Sequence, residues 1–129
     1  MYNRREVAEI RTREVFFFTQ KEEEFTDLLV KLGIKRNIAK VVIYLGFVDE
    51  ATSREIERGT DLRQPEVSIA MAAMLAQKWV SCRESKTENK GRPVKIYQLA
   101  CPIGEILDGI EREKREEAEQ QLRLITQMR

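Results

Sequence analysis

The sequence predicts a mostly helical α+β fold, closed by one β-hairpin and a long C-terminal helix. Three observations predict it. Apolar residues recur at i, i+3, i+4, i+7 in successive segments up to Trp79. At Val94-Lys95-Ile96-Tyr97-Gln98-Leu99 the period changes to the alternation of a half-buried strand. From Gly109 onward there is no further Gly or Pro, and charge is dense.

The first helical segment shows a capping-box pattern, Thr19 with Glu22, in which hydroxyl and carboxylate satisfy orphan amides reciprocally. Glu22, Glu23 and Glu24 then favour the positive end of the helix dipole. Phe25, Leu28, Leu29 and Leu32 form its apolar face, and Gly33 is a natural residue just past its end. The second segment repeats the template with Ile38, Val41, Val42 and Leu45 and stops at Gly46; Asn37 is a candidate cap, although Lys35-Arg36 could also lie inside the helix. Thr52 and Glu55 make a second capping box, opening a short helix to about Arg58. Gly59-Thr60-Asp61 breaks it. The next helix starts near Gln64, with Pro65 in its first turn, where a missing N–H costs nothing. Its expected buried stripe is Val67, Ala70, Met71 and Met74, running on to Leu75 or Trp79.

Val80-Ser81-Cys82-Arg83-Glu84 reads as a strand, and the polar stretch 85–93 as a loop. With the alternating strand that follows, this makes a hairpin. If it turns near Asn89, Cys82 faces Tyr97 and not Cys101, so no disulfide is implied. After Pro102 a helix is expected over 103–128. Ile103, Ile106, Leu107 and Ile110 form one apolar stripe, and Ala118, Leu122, Ile125 and Met128 a second. Seven consecutive charged residues, 111–117, separate them. The expected division is a helical extension over 1–18, a domain over 19–100 and a dimerisation helix over 101–129.

Composition removes several functions. The 129 residues carry 42% hydrophobic and 35% charged side chains, enough apolar content for one core. Lys+Arg 23 against Asp+Glu 22 leaves net +1, so only the distribution of charge can speak for a nucleic-acid partner. With His 0, the usual general base and metal ligand are missing. Two Cys cannot complete a zinc site alone. No phosphate loop or nucleophile elbow is present, so neither an enzyme nor a cofactor is expected. No apolar run approaches a membrane span, and the first residues do not read as a signal peptide; a cytoplasmic location without membrane contact is expected.

The order helix, helix, short helix, turn, helix, hairpin is that of a winged helix-turn-helix domain, here with a two-stranded wing. Thr52-Ser53-Arg54-Glu55-Ile56 followed by Leu62-Arg63-Gln64-Pro65-Glu66-Val67-Ser68 resembles the T-x-x-E-I…L-x-Q-P-x-V-S motif of bacterial and archaeal regulators. Lys90-Gly91-Arg92-Pro93-Val94-Lys95-Ile96-Tyr97-Gln98-Leu99 resembles their wing. Leu32-Gly33-Ile34 and the helix after it are similar to the lead-in of archaeal TrmB-like and MarR-like proteins. The resemblance covers roughly residues 25–100. There are departures: Glu57 stands at a usually small position, Asp61 where the family usually has a left-handed Gly, and Lys78-Trp79 where it has Gly-Leu.

The resemblance implies a homodimeric transcriptional regulator on double-stranded DNA, with the helix from Gln64 as recognition helix. Its outward positions are Arg63, Gln64, Glu66, Ser68, Ile69 and Ala72. Gln64 suits an adenine edge, Ser68 a phosphate, and Ile69 or Ala72 a thymine methyl. The helix itself is poorly basic. The hairpin compensates: Arg83, Lys86, Lys90, Arg92 and Lys95 stand against Glu84 and Glu88, a local excess of +3. Arg92, between Gly91 and Pro93, suits a narrow minor groove, and Lys86, Lys90 and Lys95 suit phosphates. About one helix of sequence follows the wing, so no effector domain is expected, and no effector can be read. The rival reading is a protein–protein adaptor, for which the smooth surface of Ile69, Ala72, Ala73 and Ala76 and the near-neutral charge speak. Arg4, Arg5, Arg11 and Arg13 alternate with Glu and suit a solvated face. Phe16, Phe17 and Phe18, with Val7 and Ile10, suit core or dimer contacts.

Overall fold

The computed structural model describes the backbone of residues 15–85 and 92–129, and side chains from Gln20 onward within those spans. Lys86, Lys90 and Gly91, the N-terminal Arg4, Arg5, Val7, Ile10, Arg11 and Arg13, and the side chains of Phe16, Phe17 and Phe18 lie outside the described residues.

In chain order the elements are α1 (Val15–Lys31), α2 (Arg36–Phe47), β1 (Ala51–Thr52), α3 (Ser53–Thr60), α4 (Gln64–Ala76), β2 (Val80–Ser85), β3 (Val94–Leu99) and α5 (Ile103–Met128). The three strands form an antiparallel sheet of order β1-β3-β2. This is a winged helix-turn-helix fold with a long C-terminal helix.

α1 runs without a break through Thr19, so the Thr19–Glu22 pattern opens no helix. Inside it, the Thr26 hydroxyl donates instead to the Glu22 carbonyl at 2.7 Å. Gly33 takes a φ of 96° beyond the end of α1, and its N–H donates to the Val30 carbonyl at 2.9 Å. α2 begins at Arg36, with Lys35 and not Asn37 at the cap, and continues one residue past Gly46 to Phe47.

The Thr52–Glu55 box forms as expected. Thr52 N–H donates to Glu55 Oε1 at 3.0 Å, and Glu55 N–H to Thr52 Oγ1 at 3.2 Å. α3 ends at Asp61 with φ 57° and ψ 36°, the left-handed conformation that permits the tight turn into α4. Its last turn is tied inward by the buried Thr60 hydroxyl, which donates to the Ile56 carbonyl at 2.6 Å.

The main core joins α2, α3, α4 and the sheet through Val41, Val42, Leu45, Ile56, Val67, Ala70, Met71, Met74, Val80 and Tyr97. The expected stripe of α4 is therefore the buried one. Beyond it, Leu75 is exposed and Trp79 partly buried. A second cluster pins the start of α5 to α1 and α2: Ile106 and Ile110 pack with Leu29, Ala39 and Ile43. These buried contacts hold the first stripe of α5 on the domain. From Glu111 onward every residue of the helix is exposed, the second stripe included. Among the described residues no helix is long and apolar enough to cross a membrane.

Candidate nucleic-acid interface

α4 follows α3 after a turn of three residues, 61–63. Arg63 is the N-terminal flanking residue of α4, and its N–H donates to Glu66 Oε1 at 2.9 Å. Glu66 is therefore used as a cap within the helix, which also draws it away from the outer surface. Buried Val67, Ala70, Met71 and Met74 set the rotation of α4. That rotation leaves Arg63, Gln64, Ser68, Ile69 and Ala72 exposed. Two candidates are thus held by the helix in different ways: Glu66 turns back to the backbone, while Ile69 projects, 72% exposed.

The wing is built from β2 and β3, paired from Val80 with Leu99 out to Ser85 with Val94. Cys82 pairs with Tyr97, as the sequence implies. Arg92 and Lys95 are exposed on the return side of the hairpin. Arg83 is differently placed: its guanidinium pairs with Glu50 Oε2 at 2.6 Å, from the segment before β1. One of the five hairpin cations is therefore committed to bracing the sheet. The short β1 completes that brace, with Ala51 opposite Tyr97 and Thr52 opposite Ile96.

β1 had no sequence signal, since two residues cannot show an alternation. It sets the start of α3 against the wing. As a result Ser53, Gln64, Ser68 and Lys95 line one crevice of about 380 Å³ between α3, α4 and β3, floored by Val67, Met71 and Tyr97. Ser53 was not a candidate from the sequence; only the β1–β3 pairing brings it beside Lys95. The crevice offers hydroxyls, an amide and an ammonium, groups that suit an anionic oxygen. Among the described residues no group of three or more His, Cys, Asp or Glu could hold a metal ion.

On the opposite side, Phe25, Leu28, Leu32 and Leu107 border an apolar groove of about 550 Å³ between α1, α2 and the start of α5. All four are more than two-fifths exposed. Together with Leu122, Ile125 and Met128 they give this chain a large uncovered apolar surface.

No protein-family model and no curated protein matches the chain. Among solved structures, it is similar to a Methanosarcina mazei Go1 protein described as a possible transcriptional regulator. The TM-score is 0.55 at 16% identity, covering 71% of this chain and 79% of that one. This likeness supports the winged-helix fold. Looser overlaps occur with Pex from Synechococcus (TM-score 0.42, 22% identity, 53% of this chain and 68% of that one) and with Lactococcus lactis ZitR (TM-score 0.41, 18% identity, 86% and 79%).

Proposed function

We propose that this protein is a sequence-specific, double-stranded DNA-binding transcriptional regulator, archaeal and TrmB-like or MarR-like in type, acting as a cytoplasmic homodimer without catalytic activity. The observation that carries the reading is the common exposure of the α4 candidates and the wing cations. Arg63, Gln64, Ser68, Ile69 and Ala72 stand free on a helix whose other side is locked into the core, with Arg92 and Lys95 on the adjacent hairpin. α4 enters a major groove, and the wing lies along the neighbouring backbone. Lys86 and Lys90, which follow β2 in sequence, add two further cations to the hairpin segment.

The homodimer rests on the exposed second stripe of α5 and on the apolar groove at its base. A helix gains most of its stability from packing. Eighteen residues of exposed helix, 111–128, ending in Leu122, Ile125 and Met128, call for a partner, and a second copy is the commonest one. The functional division remains an extension over 1–18, a DNA-binding domain over 19–100 and a dimerisation helix over 101–129.

Selection from a random pool of duplexes tests the reading. Enriched molecules should carry two related half-sites whose centres lie about one helical turn apart, roughly 34 Å, or a multiple of it. A pool that stays unenriched under conditions where the protein binds would remove sequence specificity.

A further inference from the structure

The helix α4 presents three edges of different chemistry. Its inner edge is the buried stripe through Met71 and Met74. Its wing-side edge carries Gln64 and Ser68, which share the crevice with Ser53 and Lys95; Ala72 borders that crevice as well as the outward edge. Directly away from the core stands a third edge of Pro65, Ile69, Ala72 and Ala76, at i, i+4, i+7 and i+11, all exposed. None of these four side chains has a hydrogen-bond donor or acceptor. The part of α4 that reaches farthest from the domain therefore cannot read a base edge by hydrogen bonding. One group on a major-groove edge is recognised by apolar contact, the thymine C5-methyl.

We propose that this ridge reads thymine methyl groups. Ile69 makes the main contact and Ala72 the neighbouring one. Ser68, with Ser53 and Lys95, holds a phosphate of the adjacent strand, and Gln64, expected from the sequence on an adenine edge, lines the same crevice and serves that phosphate instead. The inference rests on the DNA-binding reading above and divides its residues into base-reading and backbone-positioning sets. The preferred duplex is then A·T-containing, with thymines where Ile69 enters. Charge supports DNA as the occupant of an otherwise apolar ridge. Exposed Arg63 stands at its start, and exposed Lys95 and Arg92 stand on the wing beside it. The N-terminal end and the wing side thus offer cations where a duplex presents phosphates.

The test uses the full chain and synthetic duplexes of about three helical turns, roughly 31 bp. One has alternating A·T, one the same sequence with uracil for thymine, one alternating G·C, and one the same with 5-methylcytosine. Anisotropy at low salt should show tighter binding to A·T than to A·U, by roughly fourfold for each methyl buried. 5-Methylcytosine should recover affinity over plain G·C in the same direction. Ile69→Ser should shrink the A·T over A·U ratio, leaving only the part that Ala72 supplies; at an exposed position it leaves the fold intact. Lys95→Gln should weaken all four duplexes alike. Equal binding to A·T and A·U overturns the inference, as does a preference that Ile69→Ser leaves undiminished. A Lys95→Gln effect confined to the methylated duplexes overturns the division of roles. If no duplex binds at all, the DNA-binding reading itself falls and takes this inference with it. If duplexes bind and the methyl is ignored, only the ridge assignment fails.

Discussion

Gly59 lies against the ring of Tyr44: a Cβ at position 59 would stand 2.6 Å from both Cδ1 and Cζ, inside contact distance. This close approach lets α3 settle onto α2, and so fixes where α4 begins. Gly59→Ala should therefore destabilise the fold by about 1–3 kcal/mol, the usual cost of overpacking. Chemical denaturation measures it. A Gly59→Ala, Tyr44→Ala double variant should lose less than the sum of the two single losses, because removing the ring removes the clash. Strict additivity would show that the ring is not what the glycine accommodates.

Lys78 has φ 62° at the bend between α4 and β2, where its N–H donates to the Leu75 carbonyl at 3.0 Å. A side chain in this conformation costs about 1–2 kcal/mol. Glycine removes that cost but adds unfolded-state freedom worth roughly 0.5–1 kcal/mol. Lys78→Gly should therefore raise stability by about 0.5–1 kcal/mol. A lower Tm would mean that the lysine chain contributes packing that its exposure does not suggest.

These two positions show how far the sequence could be read. Lys78 and Asp61, two positions where the sequence resemblance leads one to expect glycine, are both left-handed in the structure. The Thr52–Glu55 box and the alternation of β3 were legible because each is a local pattern with a local cause. Thr19–Glu22 shows the same local pattern, yet α1 runs through it, because a box needs a chain break before it and here helix precedes it. Glu66 looked outward by its helix position but is drawn back by the Arg63 N–H, a competition that side-chain identity alone does not decide. The Glu50–Arg83 pair and the Ser53–Lys95 crevice were invisible, since both join residues brought together only by strand pairing.

Arg92 is exposed on the wing and takes part in no core contact. Arg92→Ala should leave the Tm unchanged and lower duplex affinity. If the contact is to a phosphate, the slope of log K against log salt should shrink by about 0.9 per protomer, about 1.8 for the dimer. An unchanged affinity at low salt would remove the wing from the interface.

Buried Met74 and exposed Gln64 should separate stability from binding. Met74→Ala should cost about 2–5 kcal/mol of folding free energy. Gln64→Ala should leave folding unchanged and weaken binding to duplex. A thermal shift for Gln64→Ala as large as that of Met74→Ala would contradict the rotation of α4 described above.

The last buried residue of α5 is Ile110. A chain ending at Glu111 keeps both core clusters and loses the whole second stripe. The full chain should sediment as a dimer and the shortened chain as a folded monomer. A dimer that survives the truncation would place the contact elsewhere, with the groove of Phe25, Leu28 and Leu32 as the next surface to alter.

If the exposed side of α4 and the wing bind duplex DNA, that binding must depend steeply on salt, and a salt titration decides the matter. With the full chain and a selected duplex, log K should fall linearly with log salt. If the dimer neutralises about six to ten phosphates, affinity should drop roughly 10³–10⁵-fold between about 50 and 200 mM salt. Absence of binding at the lowest salt, or an affinity indifferent to salt, would contradict the account.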